Sequence, residues 1–545
     1  MSKEYSFSVM PSVSISRSRF ARKSQHKTSF NLGQIIPIYC DEVLPGDTRS
    51  IDMASLVRMS TPIAPIMDNI YLDFYAFFVP NRLVWTHWKE FMGENNESAG
   101  IPSTSYSIPY IDFGGESKDI QSGSLIDYFG LPVGNTSIYS NARVSALPFR
   151  GYYLIYNEWF RNQNVIPPKP IDISDNNSVI VKDNKNGSLT LFSSVLNASK
   201  LADYFTKALP YAQKAAPVTI PLGTTAPIVL NTGSTGLVSG FISDTHDSTV
   251  RLVTAGNGDV AINNAVIQGG VSLNPYFNTN SIVADLSQST AATINDLRYA
   301  FQLQKLLEKD ALYGSRYWEI LAAHFGIKAP DSSLQRPEYL GGHRMHINID
   351  QVLSTAGYDD TPSGQQVGKP GANSVSGGKM SLFTKSFTEH GYLYILAVAR
   401  HDQTYCQGVN RMWTRSNRFD FYFPVFANLG AQDIKNKEIY LTGTETDEEV
   451  FGYQEAWAEY RYKPSIATGL LNPTATGSLV FWTLTNMFAN KPTLGKKFIE
   501  QSRDNLKRAL TTGETGPDFI ADFYFEDIAV RPMPMYSIPG LIDHH

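Results

Sequence analysis

Two cysteines, Cys40 and Cys406, are all that the 545 residues hold. That excludes a disulfide framework, and both read as reduced thiols of a chain made in a reducing cytosol. Charge is scarce too: Asp, Glu, Lys and Arg make up 18%, below the roughly one quarter usual in soluble domains. The formal net charge is −5, so the chain as a whole is no polycation, and any nucleic-acid contact must be a local patch. No apolar run reaches the length of a transmembrane helix. The opening residues, MSKEYSFSVMPSVSIS, lack the apolar core of a signal peptide, so a soluble chain not secreted by that route is expected.

The usual marks of chemistry are missing as well. Gly368 to Met380 is glycine-rich, but Lys379 lacks the upstream glycine of a phosphate loop and is followed by Met. Neither HExxH nor CxxC occurs. His343 and His346 (HRMH) could share a face, and His401 lies near Cys406, yet neither set has a third ligand close by. There is no GxSxG elbow. Cys40, in IPIYCDE, reads as a small buried hydrophobe with nothing to lower its pKa. Glu448 and Glu449, in TETDEE, read as solvated. No catalytic residue, metal site or cofactor is expected.

What the chain does have is aromatic residues, 12% of the total. The run DNIYLDFYAFFVPNRLVW (Asp68 to Trp85) alternates with period two and is apolar on both faces. Ile70, Leu72, Phe74, Ala76 and Phe78 share one face; Tyr71, Asp73, Tyr75, Phe77 and Val79 share the other. Such a strand must be covered on both sides. ALPFRGYYLIYNEWFRNQN (Ala146 to Asn164) reads as a helix entered through Pro148, with Tyr152, Ile155, Tyr156, Trp159 and Phe160 on one face.

Ser16 to Lys27 carries Arg17, Arg19, Arg22, Lys23 and Lys27 with no acid between them. It reads as a basic arm over residues 1–30, without regular structure. Two readings stand: a solvated tail, or a contact for single-stranded nucleic acid, with Phe20 free to stack on a base. Pro217 to Ala292 is rich in Thr, Ser, Asn and Gly, with Arg251 its lone cation, and reads as an inserted surface module. A helix follows it, up to Gly314. Gly357 to Lys379 reads as a second long loop. In the last third, Tyr392–His401, Arg418–Phe426, Ser478–Leu484 and Asp522–Val530 read as strands. The pattern fits one mainly β sandwich interrupted by insertions, not a string of domains. A structural assembly protein is favoured over a receptor-binding spike or a β-sandwich hydrolase, for which no carboxylate pair or triad is found.

Several strings are more specific. DEVLPGDT (Asp41 to Thr48), TPIAPIMDNIYLDFYAFFVPNRLVW (Thr61 to Trp85) and the Ala146 to Asn164 block resemble the major capsid proteins of microviruses, small icosahedral single-stranded-DNA phages. ALPYAQKAAPVTIPLG, LYGSRYWEILAAHFGI and the terminal RPMPMYSIPGLIDHH are similar to the gokushovirus branch. The resemblance implies an eight-stranded antiparallel jelly-roll β-barrel over residues 31–545, with long helical and loop insertions. It implies pentamers that build a T=1 shell around circular single-stranded DNA, and segment 217–292 as a threefold protrusion active in host attachment. A small basic packaging protein, a scaffolding protein, a DNA-pilot protein and a host-cell surface receptor are the implied partners. The implied location is the virion, after synthesis in the host bacterial cytoplasm. On this reading Arg17, Arg19, Arg22, Lys23 and Lys27 contact DNA on the inner side. Tyr71, Tyr75 and Phe77 pack against insertions or a neighbouring subunit.

Overall fold

The computed structural model describes residues 15–95, 105–113, 119–139, 142–179, 195–216, 218, 228–230, 237–242, 250–254, 260–262, 276–277, 282–284, 294–314, 316–355, 368, 370–513 and 515–536. By internal contacts the chain divides into two units, one made of Met1–Ala212 with Asp310–His545, the other of Gln213–Lys309.

Eight long strands frame the first unit: β1 (Ser18–Phe30), β2 (Ile35–Val43), β3 (Thr48–Met59), β4 (Ile70–Pro80), β5 (Glu338–His346), β6 (Val375–Ser386), β7 (Gly391–His401) and β8 (Phe519–Arg531). They form two four-stranded sheets, ordered β1-β8-β3-β6 and β5-β4-β7-β2. Every long pairing is antiparallel. The sheets pack face to face over one core, to which Phe30, Met53, Val57 and Phe525 come from the first sheet and Leu72, Phe74, Ile395 and Ala397 from the second. Phe74 meets Phe523 across that core, ring centroids 5.8 Å apart.

The period-two reading of β4 holds on both faces. Ile70, Leu72, Phe74, Ala76 and Phe78 enter the core between the sheets. Phe77 and Val79 enter a second core on the far side of β4, closed by helix α1 (Leu147–Ile155) and the π-turn Tyr156–Phe160. Pro148 sits in the first turn of α1, where its missing N–H costs nothing. Tyr152, Ile155, Tyr156 and Phe160 are buried, as their spacing predicts. The Tyr394 hydroxyl of β7 donates to the Pro148 carbonyl at 2.8 Å. A Cβ on Gly151 would collide with that hydroxyl, so glycine permits the close seat of helix on sheet.

Three sequence readings are corrected. The basic segment is not an unstructured arm: Ser18–Phe30 is strand β1, paired over its whole length with β8. Arg418–Phe426 and Ser478–Leu484 are not strands but 3-10 turns and irregular chain. The second half of the loop read as Gly357–Lys379 is strand: Pro370–Asn373 pairs with Asp350–Leu353, and β6 begins at Val375. Residues 357–367 and 369 of that loop lie outside the described residues, as do 356, 1–14 and 537–545.

In the second unit, Leu237–Ile242, Val250–Thr254, Val260–Ile262 and Tyr276–Phe277 form one antiparallel sheet. Ile228–Leu230 and Ile282–Ala284 pair separately. The unit's last residues, to Lys309, belong to helix α2 (Ile294–Tyr313). The rest of segment 217–292, apart from residue 218, lies outside the described residues.

Candidate assembly surface and basic strand

Strand alternation divides the basic residues of β1. Arg19, Lys23 and Lys27 are exposed on one face. Arg22 points the other way and is engaged. Its guanidinium lies 2.5 Å from Asp41 and 3.3 Å from Asp527. The same two carboxylates hold Arg49, at 2.7 and 2.5 Å. Arg49 and Asp527 are buried to 0% and 1% side-chain exposure, so this pair sits within the protein. Tyr39 donates to Asp527 at 2.9 Å, and Arg531 reaches Asp47 at 3.1 Å. Burial, the largest influence, works against the Arg22 charge, but Asp41 and Tyr39 together offset it and the net shift is upward. Arg17 precedes the strand, exposed, beside Gly46 and Pro532. The exposed face of β1 is not purely cationic around it: Lys23 stands opposite Glu526 of β8, and Lys27 opposite Asp522. Lys379 of β6 pairs with Glu526 at 3.2 Å.

The second face of β4 grades from buried to accessible. Phe77 is buried among Trp159, Phe160 and Tyr339, at centroid distances of 5.5, 6.1 and 5.6 Å. Tyr75 is half-buried, edge-on to Phe160 at 5.2 Å, and burial pushes its hydroxyl up to about 12. Tyr71 donates to Asp402 at 2.9 Å, with Arg344 over its ring and His346 at its edge. Between them, Asp73 takes Arg344 at 2.6 Å and Arg400 at 2.5 Å. Burial raises the Asp73 carboxyl, but hydrogen bonds from these two guanidiniums more than offset it and hold it below its ordinary range. His343 and His346 are three apart on β5 and therefore on opposite faces, so they form no joint site.

The surface that sequence reasoning missed lies between Arg411 and Met487. Trp413, Phe419, Val425 and Ile466 are 75, 71, 88 and 71% exposed. Met412, Phe421, Leu429, Tyr460, Leu470 and Phe481 are exposed beside them in sequence. Residues 412–429 carry only Arg415, Arg418 and Asp420 as charges. Arg415 is spent on Glu459 at 3.0 Å, and Asp420 accepts the Ser416 and Asn417 backbone N–H groups. Large apolar side chains left exposed in this number along one stretch of chain are the usual material of an interaction surface. Among the described residues, no group of three or more His, Cys, Asp or Glu side chains is placed to hold a metal ion, and no helix is long and apolar enough to cross a membrane.

A β sandwich carrying long insertions, with large apolar side chains exposed over the charge-poor stretch 412–429, fits a structural subunit whose surface is completed by neighbours. The capsid protein (F protein) family model matches residues 8–541, and the chain belongs to that family. It is similar to capsid protein VP1 of Bdellovibrio phage phiMH2K, 39% identical over 547 residues covering 98% of each chain. VP1 of Chlamydia phage 1 is 37% identical over 597 residues, covering 98% of this chain and 97% of the relative. VP1 of Spiroplasma virus 4 is 36% identical over 558 residues with the same coverage. The protein is thus a structural component of the virion, not an enzyme, in the microvirus capsid family that its sequence blocks resemble.

Proposed function

We propose that this chain is the major capsid subunit of a gokushovirus, assembling through pentamers into a closed T=1 icosahedral shell around circular single-stranded DNA. The observation that carries this reading is the end-to-end match to VP1 capsid proteins. The exposed apolar residues of 411–487 support it, as surface for neighbouring copies to cover. The sandwich is a jelly roll, a reading supported by the sheet orders β1-β8-β3-β6 and β5-β4-β7-β2. Arg17, Arg19, Lys23 and Lys27 face the genome, while Arg22 serves the subunit's own charge cluster. Tyr71 and Tyr75, at the accessible end of their face, meet a neighbouring copy; Phe77 is packed within the chain.

Segment 217–292 forms a threefold protrusion that meets a host-cell surface receptor. A small basic packaging protein, a scaffolding protein and a DNA-pilot protein take part in assembly in the bacterial cytoplasm. The test is electron microscopy of particles from cells making the protein with its phage partners, with nuclease protection on the same fractions. Closed shells holding protected single-stranded DNA are expected; monomers alone, with all partners present, would overturn the reading.

A further inference from the structure

A cavity of about 330 Å³ opens within the first unit, between the Tyr204–Phe205 stretch and the chain from Tyr405 to Asn472. It is large enough for one aromatic side chain. The rings of Tyr204, Phe205, Tyr405 and Tyr462 line it, together with Pro464 and Ile466. Ile466 is itself largely exposed, so the cavity opens among the uncovered apolar residues of 411–487.

The charged groups around the cavity hold one another. Glu438 accepts Tyr204 at 3.0 Å on one oxygen and Arg411 at 2.8 Å on the other. Glu459 takes Arg415 at 3.0 Å, both side chains being nearly buried. Tyr405 turns its hydroxyl to Asp203 at 2.6 Å, and Lys207 rests on the Tyr462 ring. Each lining carboxylate is thus matched by a guanidinium, and the rings are left as the walls a guest would meet. Such walls suit another aromatic ring, packed edge to face or offset.

The same two ion pairs steady a ring of that kind. Arg411 and Arg415 stand two residues to either side of Trp413. Asn410 caps the 3-10 turn Arg411–Trp413 by accepting the Met412 N–H at 3.0 Å. Trp413 is largely exposed on this anchored turn, so little ordering remains to be lost when it docks. Trp is also among the side chains that most often anchor an interface.

Resting on the reading of the chain as a shell subunit, we propose that Trp413 of a second copy fills this cavity, reciprocally, across a twofold axis of the shell. A second copy is the occupant because the chain belongs to a capsid family and its own exposed stretch supplies the ring. Arg411 lines the cavity two residues from Trp413. Knob and hole side by side on one chain are what a self-complementary contact needs.

The test is a ligand-observed NMR titration with indole, the ring of a Trp side chain, on unassembled full-length protein and on closed shells. Saturable binding to the unassembled protein is expected. It should weaken roughly tenfold or more in Ala467→Trp, whose new ring fills the cavity it lines. Shells should bind no indole, because Trp413 is already in place. Ala467→Trp should keep its circular dichroism yet form no closed shells, and a reconstruction of unaltered shells should show Trp413 of the twofold-related copy in the cavity. If Ala467→Trp does not fold, the comparison of unassembled protein with shells decides. No indole binding to the unassembled protein, equal binding by shells, closed shells from Ala467→Trp, or a cavity empty or otherwise filled in the shell overturns the inference and leaves the shell reading standing. No shells from the unaltered protein, with all partners present, overturns both.

Discussion

Arg49 and Asp527 pair at 2.5 Å with almost no exposure, joining β3 to β8 beside the turn at Gly46. Removing one partner strands a buried charge, so Arg49→Ala should cost about 3–5 kcal/mol in urea unfolding. Arg22 shares the same carboxylates but is 35% exposed, and Arg22→Ala should cost no more than about 1 kcal/mol. Equal losses would contradict the assignment of the cluster to Arg49. His401 gives a pH signature. Burial, the main cause, pushes it down to about 4; Lys200 and Arg508 act the same way, and Asp402 opposes. The folded state thus holds His401 neutral while the unfolded chain binds a proton near pH 6.5. Its stabilising share is full above that value and is lost as pH falls toward 4, on the order of 3 kcal/mol. His401→Gln should flatten stability over that window, and an unchanged acid limb would refute the account.

Among the elements, β4 and α1 were legible because their burial is local in pattern: period two on a two-faced strand, three- and four-residue spacing on a helix. Phe77 shows the consequence, and Phe77→Ala should cost about 3–5 kcal/mol in the same unfolding assay. Strand β1 was hidden for the opposite reason. Its half-buried side is Phe20, Arg22, His26 and Thr28, which carries little apolar signal. Its partner β8 lies at the other end of the chain. Strand β6 was hidden by Gly and Ser, since only Met380, Leu382 and Phe383 mark its inner side. Arg418–Phe426 misled because aromatic residues mimic strand composition, whereas these side chains face outward with no paired strand beneath them. Edge strands are commonly charged to prevent pairing, so Arg19, Lys23 and Lys27 have a structural use as well as the proposed genomic one. Replacing all three with Ser should leave the thermal midpoint unchanged. It should also lower the salt slope of single-stranded DNA binding by roughly 2. An unchanged slope would leave the edge role alone.

For the whole molecule, the fold's incompleteness is the informative property. Exterior aromatic residues between Arg411 and Met487 make sense when copies cover one another, because a buried apolar side chain contributes ~1.5–3 kcal/mol relative to exposure. Trp413→Arg and Val425→Arg should therefore leave the subunit folded, with unaltered circular dichroism, yet block shell formation in sedimentation. The Gln213–Lys309 unit has its own internal contacts. Replacing residues 217–292 by a short Gly-Ser linker should still give folded subunits and closed shells, with host attachment lost.

The central claim is that neighbours complete this surface. A cryo-electron-microscopy reconstruction of purified particles tests it most directly. The account predicts a closed shell with Trp413, Phe419 and Val425 buried against adjacent copies. A shell in which all three face solvent, or no shell at all, would contradict it.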